Sequence, residues 1–188
     1  MSKIENNPLL KGASGMLGDT MVFRTVRGGL QMVNRPKRRR KVSEKQLDIQ
    51  SKFQEASQYA NRQIAKEDSN SLYEAGITDK KHTAYIVAMS DYLNAPKVHF
   101  IEALGYKGAI GNLIAVKATD DFMVTGVKVA ITAANGTLIE EGEAGPDPDR
   151  INLWTYKTTV ENPSVAGTVI QAIAFDRPGN ATSANKQL

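Results

Sequence analysis

The chain contains no cysteine, and that single absence removes disulfides, thiolate nucleophiles and cysteine-ligated zinc. It has only two histidines and one tryptophan in 188 residues. No run approaches the roughly 18 apolar residues that a membrane-spanning helix needs. The opening Met1-Ser2-Lys3-Ile4-Glu5-Asn6-Asn7-Pro8 lacks the apolar core of a secretory signal. Synthesis in the cytoplasm without a signal peptide is therefore expected, and the final site, a virion or an extracellular assembly among the options, stays open. With 41% hydrophobic and 23% charged residues the composition is that of a folded globular chain. Stability has to come from packing or from neighbouring molecules.

Catalytic constellations are scarce as well. His82, at an expected helix start, and His99, in an expected strand, lack the i, i+4 spacing of a helical metal pair, so surface or packing roles are expected of both. Gly12, Gly15 and Gly18 recur every three residues. A phosphate-cradling loop would need a strand before them, a helix after them and usually a Lys-Ser/Thr pair, and none is present. Glu140, Glu141, Glu143, Asp147 and Asp149 form an acidic stretch, while Asp120, Asp121 and Asp176 fall at expected strand ends. Calcium takes clustered carboxylate and carbonyl oxygens. The ordered ligand loop is missing, so solvated loop charge is the main reading, with calcium the alternative, and a glycosidase-type carboxylate pair is weaker still. No catalytic residue, resident metal or cofactor is assigned, and the chain reads as a non-enzyme.

What the chain does have is one concentrated charge. Arg35, Lys37, Arg38, Arg39, Arg40 and Lys41 crowd into seven residues and supply six of the 24 basic side chains, leaving 18 against 20 Asp and Glu elsewhere. Such a run suits a partner of opposite charge. Six cations would neutralise several phosphates of a nucleic acid, but no recognition helix, zinc knuckle or aromatic platform lies beside them to read bases. Docking on another subunit is favoured, because residues 97–188 carry eight basic and ten acidic side chains. A solvated linker is the third reading.

Periodicity divides the chain in two. Thr20 to Val26 and Leu30 to Asn34 are β-prone runs around Gly28-Gly29, which predicts a hairpin. Ser43-Glu44-Lys45-Gln46 is a capping-box start, after which Ile49, Phe53, Ala56, Ala60 and Ile64 draw an apolar stripe down a helix that ends near Lys66. That stripe needs a partner surface. A short helical turn is expected at Ser71 to Ala75, and a helix from Lys80 to Asn94 with Tyr85, Ala88, Met89 and Tyr92 on one face, stopped by Pro96. From Lys97 the period becomes two. Strands are predicted at Val98–Ala103, Asn112–Ala118, Val124–Thr132, Thr137–Glu143, Leu153–Val160 and Thr168–Phe175, with Asn135-Gly136 the firmest hairpin signal. Alternation puts Val127, Val129 and Ile131 on one face, Trp154, Tyr156 and Thr158 on another, and Ile170, Ala172 and Ala174 on a third. Those apolar residues are the expected core, with Trp154 in it or beside it. The predicted class is α+β, with a hairpin and two helices over residues 1–96 and an antiparallel β-sandwich over 97–188.

Residues 120–131, 135–142 and 169–180, above all the closing Ile173-Ala174-Phe175-Asp176 followed by a turn and Gly179-Asn180, resemble bacterial immunoglobulin-like and fibronectin-like modules. That resemblance covers about residues 97 to 182 and implies a sandwich; it implies no activity, because such modules serve as spacers, adhesins and shell subunits alike. Gly15 and Gly18, Val22-Phe23-Arg24, Gly28-Gly29, Arg35-Pro36 and Ser43 to Gln46 resemble an uncharacterised bacterial family that orders the same pieces in the same way. The expectation that follows is a structural subunit that binds copies of itself in a filament, tube or virion. Nucleic-acid binding through residues 35–41 is the alternative. An adhesive or carbohydrate-binding module using Trp154 and Tyr156 ranks third.

Overall fold

A computed structural model describes residues 2–3, 13–26, 29–35 and 42–188. The described residues form three helices and two antiparallel sheets. It divides into two compact units, Met1–Leu47 and Asp48–Leu188. The boundary expected near residue 96 falls inside the second unit, which holds the helices together with the long sheet.

The first unit is a four-stranded sheet of β1 (Ser2–Lys3), β2 (Gly15–Leu17), β3 (Met21–Val26) and β4 (Gly29–Asn34), in the order β1-β4-β3-β2. Its centre is the expected hairpin, with Val22 opposite Val33 and Phe23 opposite Met32. The turn residues 27–28 lie outside the described residues. Gly15-Met16-Leu17, between the regularly spaced Gly12 and Gly18, pairs with β3 as a strand. Among residues 13–26, 29–35 and 42–47 of this unit none is buried.

In the second unit, α1 (Glu44–Ile64) begins at the unit boundary on the expected cap: the Ser43 N–H donates to Gln46 Oε1 at 3.1 Å and the Gln46 N–H to Ser43 Oγ at 3.4 Å. α2 (Glu67–Glu74) is a full two-turn helix where only a turn was expected. α3 (Ala84–Leu93) starts later than predicted, because the Thr83 hydroxyl accepts from the Ile86 N–H at 3.2 Å and caps it there. The buried residues of α3 are Ala84, Val87, Ala88 and Asp91, so its inward face is offset from the expected stripe, whose Tyr85, Met89 and Tyr92 pack at the margin.

Seven strands complete the unit: β5 (Lys97–Glu102), β6 (Leu113–Thr119), β7 (Val124–Thr132), β8 (Leu138–Pro146), β9 (Leu153–Lys157), β10 (Val169–Asp176) and β11 (Ala181–Gln187). They form one antiparallel sheet in the order β11-β10-β7-β8-β9-β6-β5. β8 makes the sheet turn: it pairs with β7 as far as Ala144, then Gly145 and Pro146 pair with β9. The two ends of the sheet approach each other as in a near-barrel, and Lys186 Nζ on β11 donates to the Ile101 carbonyl on β5 at 3.1 Å. Ile114, Val116, Val129, Ile131, Ile170, Ala172 and Ala174 are fully buried in one core, joined by Val127 and Tyr156, with Trp154 packed against it. Period two along β7 and β10 puts every second side chain inside. The hairpin at Asn135-Gly136 is present, although Ala134 and Asn135 occupy the turn and Gly136 follows at φ 85°, a left-handed residue after the turn rather than within it.

Gly108 is a fixed point of this core. Its φ is +80° and a Cβ there would sit 2.1 Å from the Asn162 carbonyl oxygen. Gly108→Ala is expected to cost more than about 1 kcal/mol in urea denaturation, since an alanine tolerates neither the dihedral nor the contact. Gly105→Ala, with nothing within 4 Å of its Cβ, is the control and should stay within about 0.5 kcal/mol.

Candidate assembly surfaces and a buried carboxyl cluster

The apolar stripe of α1 is only half used. Ala56 and Ala60 are 0% exposed and Ile64 packs against the helical core, while Ile49 is 66% exposed and Phe53 56%. A helix rises about 1.5 Å per residue, so the bare pair lies at the opposite end of the helix from the covered one. Large aliphatic and aromatic residues at i and i+4, unlike isolated exposed ones, make a contiguous apolar ridge. Met16 at 58% and Leu17 at 59% are comparably open on β2 in the first unit. Of the basic run, only Arg35 belongs to the described residues; its guanidinium lies 3.2 Å from Asp19 Oδ1 in an exposed ion pair, of the kind that contributes little to stability. Lys37, Arg38, Arg39, Arg40 and Lys41 lie outside the described residues.

The acidic residues named from sequence go separate ways. Glu140 is buried and its Oε2 accepts from the Tyr156 hydroxyl at 3.0 Å, the Thr159 N–H and hydroxyl at 2.8 Å each, and the Val160 N–H at 3.2 Å. Glu141 pairs with Lys128 at 2.9 Å, and Asp147 with Arg150 at 3.0 Å. Among the described residues no three His, Asp or Glu side chains come together to hold a metal ion. Tyr156 is buried against Glu140, so its ring has no free face for a sugar. Trp154 is half-buried beside an open groove of about 750 Å³ that Gly126, Gly145 and Phe175 also line. His82 and His99 are exposed, with His99 Nε2 2.6 Å from the Thr119 hydroxyl.

A more structured cluster forms where the helices meet the strand ends. Asp91 of α3 is fully buried, and the Tyr73 hydroxyl of α2 donates to its Oδ2 at 2.6 Å. Because that proton is committed, the 2.8 Å contact between the Tyr59 and Tyr73 hydroxyls must run from Tyr59 to Tyr73. One hydrogen-bonded line thus ties α1, α2 and α3 together. Phe122 stacks on Tyr73 at 4.7 Å and Arg177 covers the Tyr73 ring at 5.5 Å while donating to Ser69 Oγ at 3.0 Å. Burial pushes the Tyr73 hydroxyl far above its ordinary range, helped by the Asp91 carboxyl, and burial also raises Tyr59. Asp91 itself is pushed up to about 7, first by burial and then by the nearby Asp120 and Asp176, against the opposing Tyr73 hydrogen bond. Asp120 Oδ2 accepts the Phe122 and Met123 N–H groups at 2.9 and 3.0 Å. Asp176 spends both oxygens on Gly179 and Asn180, and burial nevertheless raises it. Asp121, next in the chain, goes the other way: burial raises it, but Lys81 at 2.7 Å, Ser90 and Asn94 outweigh that and hold it low.

None of Tyr59, Tyr73 or Asp91 stood out in sequence. The available signal was Asp91 itself, a carboxylate three, four and seven residues beyond the apolar Ala88, Val87 and Ala84, on the face that has to be buried.

No protein-family model and no curated protein sequence matches the chain. Among solved structures it is similar to CopC from Methylosinus trichosporium OB3b, at 15% identity over 49% of this chain and 89% of that one, with a TM-score of 0.37. An engineered protein is similar at 17% identity over 50% of this chain and 18% of its own length, with a TM-score of 0.33. At these values neither similarity carries a site or an activity across.

The hydroxyl line yields a direct test. Tyr73→Phe removes the donor to Asp91 and leaves a buried carboxyl oxygen without a partner, so a loss of about 1–3 kcal/mol is expected in urea denaturation. Tyr59→Phe, which leaves the bond to Asp91 intact, should cost about 1 kcal/mol or less.

Proposed function

We propose that this chain is a non-enzymatic structural subunit that assembles with copies of itself into a filament, tube or particle. The observation that carries the reading is the first unit's sheet, in which no residue of β2, β3 or β4 is buried. A sheet is stabilised by burying one face, and a neighbouring molecule can supply the surface that such a face calls for. The α1 ridge of Ile49 and Phe53 is a second such surface. A second copy is favoured as the occupant because every chain brings both incomplete surfaces, so each copy can supply what the next one lacks. The short outer strands β1 and β2 leave edges onto which a neighbour's strand can add. The basic residues 35–41 would register the contact against a neighbour's 97–188, with its eight basic and ten acidic side chains.

The long sheet fits the same reading as an immunoglobulin-like sandwich, its two layers joined where β8 changes partner. Such modules serve as walls and spacers between assembling elements.

Size-exclusion chromatography and negative-stain microscopy of the full chain test the proposal. Wild type is expected to form large assemblies, and Ile49→Ser with Phe53→Ser to shift the population toward monomer while changing unfolding stability by no more than about 0.5 kcal/mol, because both side chains are exposed. A wild-type monomer of 20.5 kDa that persists at high concentration, with and without salt, would sink the idea. Changing Arg38, Arg39 and Arg40 to Ser separates the partners of the run. Weakened assembly supports a protein contact, whereas lost DNA or RNA retention on filters with assembly intact supports a nucleic acid.

A further inference from the structure

Asn135 is the only asparagine in the chain that precedes a glycine. Both residues are exposed, in the turn that joins β7 to β8. Gly136 has φ 85° and nothing within 4 Å of the place its Cβ would take, so no side chain shields its backbone nitrogen from the amide before it. The Thr137 N–H donates to Asn135 Oδ1 at 3.0 Å and so draws electron density away from the side-chain carbonyl carbon. One bond restrains the Gly136 nitrogen, whose N–H donates to the Ala133 carbonyl at 2.9 Å. It is a single turn contact at the surface, of the modest net strength such bonds have in water, and loop tips open more readily than the strands they join.

The other asparagines are placed differently. Asn94, Asn162 and Asn180 hold their amides by donating from Nδ2 to Ser90, to Tyr106 and Thr168, and to Tyr92 and Asp176. Asn112 Oδ1 is fixed by the Lys107 and Ala109 N–H groups, and the branched Leu113 follows it. Asn61 and Asn70 lie within α1 and α2, and Pro163 leaves Asn162 without a following N–H.

We propose that Asn135 is a self-modification site, at which the folded chain converts the side-chain amide to aspartate and isoaspartate with water as the co-reactant. The Gly136 nitrogen gives its proton to hydroxide and attacks Asn135 Cγ. The N–Cγ bond forms, the Cγ–Nδ2 bond breaks, and Nδ2 leaves as ammonia with a proton from water. A second water then opens the five-membered imide. Cleavage of its N–Cγ bond gives aspartate, and cleavage at the Asn135 main-chain carbonyl carbon gives isoaspartate, with the backbone rerouted through the side chain. Nothing is oxidised or reduced. Either product adds a negative charge to the rim of a hollow of about 400 Å³ that Thr137, Glu161 and Ser164 also line. Isoaspartate also lengthens the main chain of a turn that packs closely on residue 167, where a Cβ would come 2.8 Å from Ala134 Cβ. The inference does not rest on self-assembly.

The full chain, held for days at mildly alkaline pH and followed by intact mass, peptide mapping and enzymatic methylation of isoaspartyl groups, tests the site. The first converted amide is expected at Asn135, and its rate should rise with pH because hydroxide removes the Gly136 proton. In urea, where the turn bond is already broken, conversion should be roughly two- to tenfold faster. Asn135→Ser keeps an oxygen that can accept from the Thr137 N–H, and should yield no isoaspartate in the turn. Folded wild type that keeps the Asn135 amide throughout, or whose first isoaspartate maps to another asparagine, would overturn the proposal.

Discussion

Apolar surface has to leave water, and the second unit meets that demand by curling one sheet around a single core and laying three helices against its own small cluster. The helical cluster is thin. Ala84, Val87, Ala88, Ala60 and the rings of Tyr59 and Tyr73 make up its buried part, so a fully buried acid in its midst weighs heavily. An unpaired carboxylate there costs several kcal/mol. The hydroxyl line from Tyr59 through Tyr73 to Asp91 is what makes that acid tolerable. That line joins α1, α2 and α3, while Lys81, Ser90 and Asn94 tie the helices to Asp121 at the strand end.

The first unit meets the demand differently. Its strands pair well, with six registered positions between β3 and β4, yet backbone hydrogen bonds contribute little net stability by themselves when the side chains are only partly buried. Val22, Phe23, Met32 and Val33 are residues that normally build a core. Their incomplete burial among the described residues, together with the exposed Ile49 and Phe53 on α1, is what the proposed self-assembly would relieve.

Much of this was legible in the sequence, for identifiable reasons. The strands of the core announced themselves because the branched Val127, Val129 and Ile131 alternate with Lys128, Ala130 and Thr132, and because glycine and proline turns separate the runs. The α1 cap was legible because Ser43 and Gln46 are the two side chains a capping box needs. β11 was not, because Ala-Thr-Ser-Ala-Asn-Lys-Gln has little strand preference of its own; it forms on the open edge of β10, where seven residues find partners. α2 was short in the reading because Glu67 to Glu74 lacks an apolar stripe and is held mainly by Tyr73. The buried carboxyl cluster brings together residues 59, 73, 91, 120 and 176, and no local pattern links positions so far apart.

Amide hydrogen exchange of residues 13–34, followed as a function of protein concentration, tests the central claim most directly. If the first sheet is completed by other copies of the chain, its amides should exchange fast in dilute solution and become protected as concentration rises, while the β7 and β10 amides stay protected throughout. Equal, strong protection of residues 13–34 at concentrations where the chain sediments as a monomer would contradict it, because the sheet would then be stable without a neighbour.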